Sequence, residues 1–300
     1  MIKLEKLDES LKDKHKAWCE NNIKQSLINK IEKIEDGEEK ELFKEFQNKF
    51  DELIIGENLP KLILFFKKFN FDKFKKEIKK IFNYDKFVNL ERKDNQKWNR
   101  HIFLYDRNIK TCPYCNRQYI TNYLDYKSTA DLDHFYSQDE YPYLALNIYN
   151  FIPSCQICNR NFKRNNELKD GIYPIKESFD NKAVFKLEFQ NNNWLIPKSI
   201  NDFTIKLDNI SGCTKIEKNI DIFKLNEVYK NSHNDYIKNM LDTFEKYSSE
   251  YLTEIDSLIK YESIKDLVLK PYMFKIENNE PLGKLTKDIL VNYGIIKGEK

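Results

Sequence analysis

Two Cys-x-x-Cys pairs place the strongest constraint on how this chain folds. The four cysteines are Cys112, Cys115, Cys155 and Cys158, and 39 residues separate the two pairs. The two-residue gap within each pair lets both sulfurs turn toward one ion, and four thiolates complete a tetrahedral zinc site. Such a zinc has no open position for water, so we expect it to be structural. The pairs therefore predict a four-cysteine zinc site that ties off the element between them.

The metal interpretation assumes a reducing compartment. The first ten residues are charged from the third residue on and lack the apolar core of a secretory signal. No stretch approaches 18 apolar residues, so no membrane span and no membrane partner are predicted. We therefore expect a cytoplasmic protein, in which paired cysteines are metal ligands more readily than disulfides. The isolated Cys19 and Cys213 are expected to be small buried apolar residues.

The composition indicates a folded protein that could bind nucleic acid only through a local patch of its surface. The chain has 300 residues with 18 Tyr and 21 Phe, which excludes a disordered chain. Its net charge is only +3, so binding to nucleic acid requires a basic patch. Five of the six arginines lie between residues 100 and 164, in the same part of the chain as both cysteine pairs.

Hydrophobic periodicity divides the chain into three segments. Residues 1–110 repeat apolar side chains at helical spacing, as in Phe74, Ile78 and Ile81, which predicts a mainly helical region. Residues 111–175 lose this period and contain all four paired cysteines. Residues 176–300 combine strand and helix signals, which predicts an α+β region.

The signals in the third segment can be placed more closely. Apolar residues alternate over 185–189 and again over 203–207, which predicts two strands. A turn at 191–193, followed by Trp194, should separate them. A single apolar stripe over 236–259 then predicts one long amphipathic helix.

A set of polar residues stands in register with the cysteine pairs. Asp133 and His134 are adjacent between the pairs, and Asn150 precedes the second pair. Asn159 directly follows that pair, and Lys163 lies four residues further on, one helical turn away on the same face. Imidazole has its unperturbed pKa nearest to neutral pH, so His134 suits proton transfer. The alternatives for this histidine are a zinc ligand or a buried structural residue, and the four cysteines already complete the zinc.

The order C-x-x-C, D-H, N, C-x-x-C-N-x-x-x-K resembles the HNH endonucleases. The resemblance covers about residues 112–163, roughly a sixth of the chain. In that family two strands and a helix form a ββα-metal fold around one divalent cation. The resemblance implies an α+β protein with a ββα-metal HNH core stabilised by the zinc site, and hydrolysis of phosphodiester bonds in DNA.

The resemblance also implies a role for each residue. His134 would be the general base that deprotonates water, and Asn150 would hold the His134 segment in place, with Asn147 as a competing candidate. Asp133 and Asn159 would bind the catalytic cation, and their oxygen ligands suit Mg²⁺ or Mn²⁺. Simpler alternatives are an ion pair for Asp133 and a helix N-cap for Asn159.

Three cations beside this motif are candidates for contact with the DNA backbone. They are Arg160, Lys163 and Arg164. Positive charge beside the metal lies where a phosphate backbone must run, and a solvated helix face is the alternative. The remaining histidines, His15, His101 and His233, are expected at the surface or in helix caps.

The chain departs from the family pattern at two places. The closing histidine of the family is Asn159 here, and the Gly-Gly turn that often follows D-H is replaced by SQDEYPY at 137–143. More loosely, the phrasing LDHF…YP…YNFIPSC resembles HNH nucleases of bacterial anti-phage systems of the Septu and retron-linked types. In those systems the nuclease works beside an ABC/SMC-like ATPase, which implies such a partner subunit here.

A different class of protein also explains part of the pattern. A non-catalytic zinc module that binds nucleic acid or protein would account for the cysteines and arginines. Under this interpretation, the placement of Asp133–His134, Asn150 and Asn159 relative to the cysteine pairs would be a coincidence. A third interpretation, a subunit whose helices dock on an ATPase, is compatible with a nuclease and describes its regulation.

Overall fold

The computed structural model describes residues 1–88, 98–123, 127–164, 166–189, 197–247 and 264–298. Helices and two small sheets make this an α+β protein, as the sequence predicts. The chain forms two compact units. We call residues 4–110 and 120–169 the N-terminal unit, and residues 1–3, 111–119 and 170–300 the C-terminal unit. The boundaries 1–110, 111–175 and 176–300 drawn from the sequence stay predictions.

The N-terminal unit begins with a series of helices, in agreement with the periodicity of its sequence. They are α1 (Glu9–Cys19), α2 (Gln25–Lys33), α3 (Glu38–Asn48), α4 (Phe50–Ile55), α5 (Leu59–Phe66), α6 (Phe71–Ile81), α7 (Tyr84–Val88) and α8 (Arg100–Arg107). A π-helical segment, Glu20–Lys24, connects the first two. Asp8 caps α1, and Asn99 caps α8 through its side-chain oxygen, which satisfies N–H groups that a helix start leaves without partners.

The core of the N-terminal unit is aromatic and includes part of the segment after the D-H motif. Helix α6 buries Phe74, Ile78 and Ile81 on one face, as the helical period requires. Tyr143, in the 3₁₀ turn Pro142–Leu144, stacks on Phe71 with ring centroids 4.8 Å apart. The helices therefore fix the position of the turn that replaces the Gly-Gly motif.

A short antiparallel sheet follows in the N-terminal unit. Strand β1 (Asp131–His134) pairs with β2 (Phe151–Ser154), so that Asp133 lies opposite Ile152 and His134 opposite Phe151. All eight residues are buried. A second 3₁₀ turn, Ile148–Asn150, leads directly into β2.

The C-terminal unit contains the second sheet, which confirms the two strands expected from alternation. Strands β3 (Val184–Phe189) and β4 (Phe203–Asp208) are antiparallel. Its helices are α9 (Thr214–Ile222), α10 (Leu225–Tyr229), α11 (Asn234–Lys246), α12 (Ile264–Glu277) and α13 (Gly283–Asn292). Helix α13 is fixed to β3 because Asp288 accepts a hydrogen bond from the Phe185 N–H at 2.8 Å.

Parts of two expectations fall outside the described residues. The turn at 191–193 and Trp194 lie there, as does the second half of the helix expected over 236–259. The described part of that helix ends at Lys246. Within the described ranges, no helix has the length and apolarity needed to cross a membrane.

Candidate metal and catalytic site

The candidate site is built on the period of two in strand β1. Side chains at positions i and i+2 of a strand lie on the same face, which places Asp131 and Asp133 side by side. Both carboxylates are buried, with 4% and 3% of each residue exposed. Two buried carboxylates on one strand need cations or hydrogen-bond donors next to them, because desolvation disfavours an unpaired charge.

A helical turn after the second cysteine pair supplies these donors. Residues Ile157–Lys163 form a π-helix, in which Asn159 and Lys163 lie one turn apart. Asn159 Nδ2 donates to Asp131 Oδ2 at 3.1 Å, and Lys163 Nζ donates to Asp133 Oδ1 at 2.8 Å. Two helix side chains that are four residues apart thus contact two strand side chains that are two residues apart. The sequence interpretation made Asn159 and Asp133 ligands of one cation, which stays a prediction, and in the structure the Asn159 amide contacts Asp131.

Asp131 is held by more donors than any sequence signal indicated. Arg160 donates to both of its oxygens, from Nε at 2.6 Å and from Nη2 at 2.7 Å. Burial raises the pKa of Asp131, but the hydrogen bonds from Arg160 and Asn159 and the charges of Arg160 and Arg100 outweigh it and lower the pKa below its ordinary value. Asp131 therefore stays ionised. Its place two residues before Asp133 is the signal that could have identified it.

The three cations expected on phosphate have different surroundings. Lys163 is 3% exposed, and its ammonium also donates to the His134 carbonyl at 2.9 Å. The Arg160 side chain is 61% exposed although it is bonded to Asp131. Arg164 is exposed and follows the end of the π-helix with φ of 47°. Only Arg160 and Arg164 therefore present their side chains to solvent, and Lys163 lies inside the site.

His134 is fixed by a backbone carbonyl. Its Nε2 lies 2.9 Å from the Ala145 carbonyl oxygen, and its ring packs edge-on against Tyr84 and Phe151. A carbonyl oxygen only accepts hydrogen bonds, so Nε2 carries the proton and Nδ1 carries the lone pair. Burial lowers the pKa of His134 to about 4, and the neutral ring is therefore the form present at pH 7. This is the form that can take a proton.

Asn150 connects the second strand with the chain just after His134. Its Oδ1 accepts from the Tyr136 N–H at 2.7 Å, and its Nδ2 donates to the Tyr136 carbonyl at 3.0 Å and to the Leu144 carbonyl at 3.1 Å. Asn147, the competing candidate, instead donates to the carbonyls of Glu52, Leu53 and Gly56. Asn150 is therefore the asparagine that fixes the His134 segment, and Asn147 fixes the same loop to the end of α4.

One buried histidine was placed wrongly by the sequence interpretation. His15 was expected at the surface or in a cap, but it is fully buried in α1. It is surrounded by the rings of Trp18, Phe87, Trp98 and Phe151. Helical spacing does place position 15 on the same face as Leu11 and Trp18. The polarity of histidine obscured this, because a neutral imidazole with both nitrogens bonded is readily buried.

The four cysteines come together as the sequence predicts. Cys112, Cys115, Cys155 and Cys158 are all buried, and their sulfurs lie within 4.8 Å of one another. Sulfurs of a tetrahedral zinc site lie about 3.8 Å apart for a Zn–S distance of about 2.3 Å. Four thiolates at this spacing therefore suit a metal ion such as zinc.

Each cysteine pair has its own local turn. In the first, Asn116 takes a left-handed conformation with φ of 49°, and its N–H donates to the Cys112 carbonyl at 2.8 Å. In the second, the Cys158 N–H points at the Cys155 sulfur at 3.4 Å. Amide N–H groups directed at sulfur stabilise a thiolate.

Of the isolated cysteines, Cys19 is buried as expected and Cys213 is only half-buried.

A catalytic Mg²⁺ or Mn²⁺ would find hard oxygen donors at the strand end. Asp131, Asp133 and the Asn159 amide provide carboxylate and carbonyl oxygens, the ligand type these cations prefer. In the structure Lys163 and Arg160 are bonded to the two carboxylates. The donor set fits the cation, which would compete with those two side chains.

Comparison of the chain with protein-family models, curated proteins and solved structures finds no match. The resemblance to the HNH endonucleases therefore rests on the motif residues themselves.

Proposed function

We propose that this protein is a metal-dependent HNH endonuclease that hydrolyses phosphodiester bonds in DNA, as part of bacterial anti-phage defence. The observation that carries the proposal is the arrangement of β1, β2 and the π-helix. It combines a neutral His134, fixed by the Ala145 carbonyl, with buried carboxylates at positions 131 and 133. The zinc ion in the four sulfurs would be structural.

His134 would act as the general base, because its ring is neutral at pH 7 and is held by the Ala145 carbonyl. Its Nδ1 takes a proton from water, and the oxygen of that water attacks phosphorus in line with the bond to the 3′-oxygen. That bond breaks, its electrons leave with the 3′-oxygen, and a proton from solvent neutralises it. The products are a 5′-phosphate and a 3′-hydroxyl. The negative charge of the bound phosphate favours the imidazolium and raises the pKa of His134 toward neutrality.

The oxygens of Asp133 and Asn159 would hold the cation, with Asp131 beside them. When bound, Mg²⁺ or Mn²⁺ supplies positive charge that stabilises the transition state and the leaving oxygen. Asn150 keeps the chain after β1 in place through its bonds to Tyr136. Arg160 and Arg164 present exposed guanidinium groups beside the site, where the DNA backbone would run.

The experiment that tests the function is nicking of supercoiled plasmid by the zinc-loaded full chain. We expect cleavage with Mg²⁺ or Mn²⁺, none with EDTA, and nicks that ligase can seal. Asp133→Asn should remove cleavage. Asp208→Asn is the matched control, because Asp208 pairs with Lys186 on a solvated strand and should leave cleavage unchanged.

Two other outcomes are informative. A chain that binds DNA equally with and without Mg²⁺ and never cuts it, even with an added ABC/SMC-like ATPase partner, would identify a non-catalytic zinc module. A chain that cuts only with that partner would assign the ATPase to activation of the nuclease.

A further inference from the structure

The loop that holds His134 is itself held at three successive carbonyls. We call residues 144–147 the carbonyl loop. The Leu144 carbonyl accepts from Asn150 at 3.1 Å, the Ala145 carbonyl from His134 at 2.9 Å, and the Leu146 carbonyl from His15 Nε2 at 2.7 Å. Each donor comes from a different element, and His15 lies 131 residues before Leu146 in the chain. The carbonyl that orients His134 is thus flanked on both sides by carbonyls with side-chain donors.

His15 makes two hydrogen bonds that determine its tautomer. The Trp98 indole N–H only donates, and it lies 3.2 Å from His15 Nδ1, which must therefore accept. The Leu146 carbonyl only accepts, so His15 Nε2 must donate. Burial lowers the pKa of His15 to about 4, which keeps this neutral form at pH 7. His15 therefore presents a fixed N–H to the carbonyl loop.

The polar side chain of the carbonyl loop, that of Asn147, is also anchored. Asn147 Nδ2 lies 3.0 Å from the Leu53 carbonyl and 3.1 Å from the Gly56 carbonyl at the end of α4. The Asn147 N–H donates to the Leu144 carbonyl at 3.1 Å. The Leu146 carbonyl belongs to the peptide next to the one that carries the Ala145 carbonyl. Loss of its donor is therefore expected to loosen the oxygen that is bonded to His134.

We propose that His15 is a positioning residue for His134: by holding the Leu146 carbonyl, it keeps the Ala145 carbonyl aimed at His134 Nε2. The proton of His134 is thereby fixed on Nε2, and Nδ1 is left as the nitrogen that accepts a proton. The catalytic consequence rests on the proposed function, whereas the tautomer of His134 does not. Trp98 contributes by fixing the tautomer of His15.

Histidine ¹⁵N NMR of the full zinc-loaded chain tests the proposal, and the chain has only four histidines to assign. His15→Phe keeps an aromatic ring among its neighbours but removes the donor to Leu146. His15→Gln restores an amide donor in place of Nε2. We expect His134 as the Nε2–H tautomer in the wild type, a mixture of tautomers in His15→Phe, and the wild-type spectrum again in His15→Gln.

Single-turnover cleavage provides the second readout. A small misplacement of a reacting group lowers a rate by up to about 100-fold, so we expect His15→Phe to slow cleavage by about 10- to 100-fold at unchanged affinity for DNA. His15→Gln should recover the rate to within about threefold. Cys19→Ala is the control, because Cys19 lies in the same buried cluster, 3.6 Å from His15 Nε2, but supplies none of the hydrogen bonds to the loop carbonyls described above.

A folded His15→Phe protein with an unchanged His134 tautomer would overturn the proposal, and so would a Cys19→Ala protein with the same tautomer mixture. If His15→Phe does not fold, His15→Leu is the second variant. It also removes the donor to the Leu146 carbonyl, and an unaltered His134 spectrum there would also overturn the proposal. Absence of cleavage by the wild type, even with the ATPase partner added, would contradict only the proposed function, since the tautomer measurement still decides this inference.

Discussion

The two sheets of this protein differ in where their charged side chains lie, which is in solvent in one sheet and in the interior in the other. Strands β3 and β4 alternate apolar and polar residues, and their charged side chains pair in solvent, as in Lys206–Glu188 at 2.8 Å with both partners about half exposed. Strands β1 and β2 are buried at every position, yet β1 carries two aspartates and a histidine. The lysine that pairs with Asp133 is buried as deeply as the aspartate, at 4% exposure for each side chain.

The exposed ion pairs of the second sheet and the buried ion pair of the first sheet differ in what they contribute to stability. An exposed ion pair contributes little to stability, and the alternation of β3 and β4 is sufficient to explain their fold. Burying Asp133 with Lys163 requires desolvation of both charges, and apolar residues of the same size would be as stable or more so. A four-residue strand that nevertheless keeps three ionisable side chains is what the proposed nuclease site requires.

Loss of one zinc ligand should have the largest effect on the sheet with the buried charges, because Cys155 follows β2 directly. Cys158→Ser is expected to abolish binding of one zinc ion per chain and to unfold much of the protein at room temperature. Structural zinc contributes on the order of 10 kcal/mol, as much as the whole folding free energy of a domain. Metal analysis and thermal unfolding measure this. Cys213→Ser, at an isolated half-buried cysteine, should keep its zinc, and equal behaviour of the two variants would refute the four-cysteine site.

The buried pair should be the next most sensitive feature. Lys163→Met keeps the length of the side chain but leaves the Asp133 carboxylate buried without its cation, which costs about 3–5 kcal/mol. Lys206→Met is the matched control on β4 and should cost less than about 1 kcal/mol. Urea unfolding at pH 7 gives both values. Similar losses for the two lysines would show that the contrast between the sheets has no energetic basis.

Acid should destabilise the surroundings of the first sheet through His15, which packs against Phe151 of β2. Burial lowers the pKa of His15 to about 4, against 6.5 in an unfolded chain. Between these values the unfolded chain binds more protons, so stability is present above pH 6.5 and is lost as the pH falls toward 4. The His15 contribution is about 3 kcal/mol at full extent.

The pH effect is isolated by comparing wild type with His15→Gln. Unfolding free energies measured from pH 7 to pH 4 should fall less steeply in the variant, since glutamine does not titrate. Parallel curves for the two proteins would mean that His15 binds a proton equally in the folded and unfolded states, and would contradict the neutral ring of its hydrogen-bond assignment.

The sequence predicted the parts of this architecture that depend on local pattern. Alternation located β3 and β4, and the spacing of the cysteine pairs brought four sulfurs together. The contacts of the candidate site depend instead on how a helix crosses a strand. The sequence placed Asn159 and Asp133 at one cation, but the contact of Asn159 with Asp131 was not foreseen.

The role of His15 could not be predicted for a related reason. Its partner, the Leu146 carbonyl, is a backbone group that every residue possesses, so no residue type marks it. The burial of His15 depends on aromatic rings from α7, from the residues before α8, and from β2. Long-range contacts of this kind leave no periodic signal in a single sequence.

The most direct test of the account is the single-turnover rate of DNA cleavage by wild-type protein and His134→Ala in Mg²⁺ or Mn²⁺. Both proteins should be folded and loaded with zinc, and the activating partner should be present if the wild type requires it. General-base catalysis contributes about 10²- to 10⁴-fold, so we predict a loss of that size in His134→Ala. Equal rates for the two proteins would contradict it.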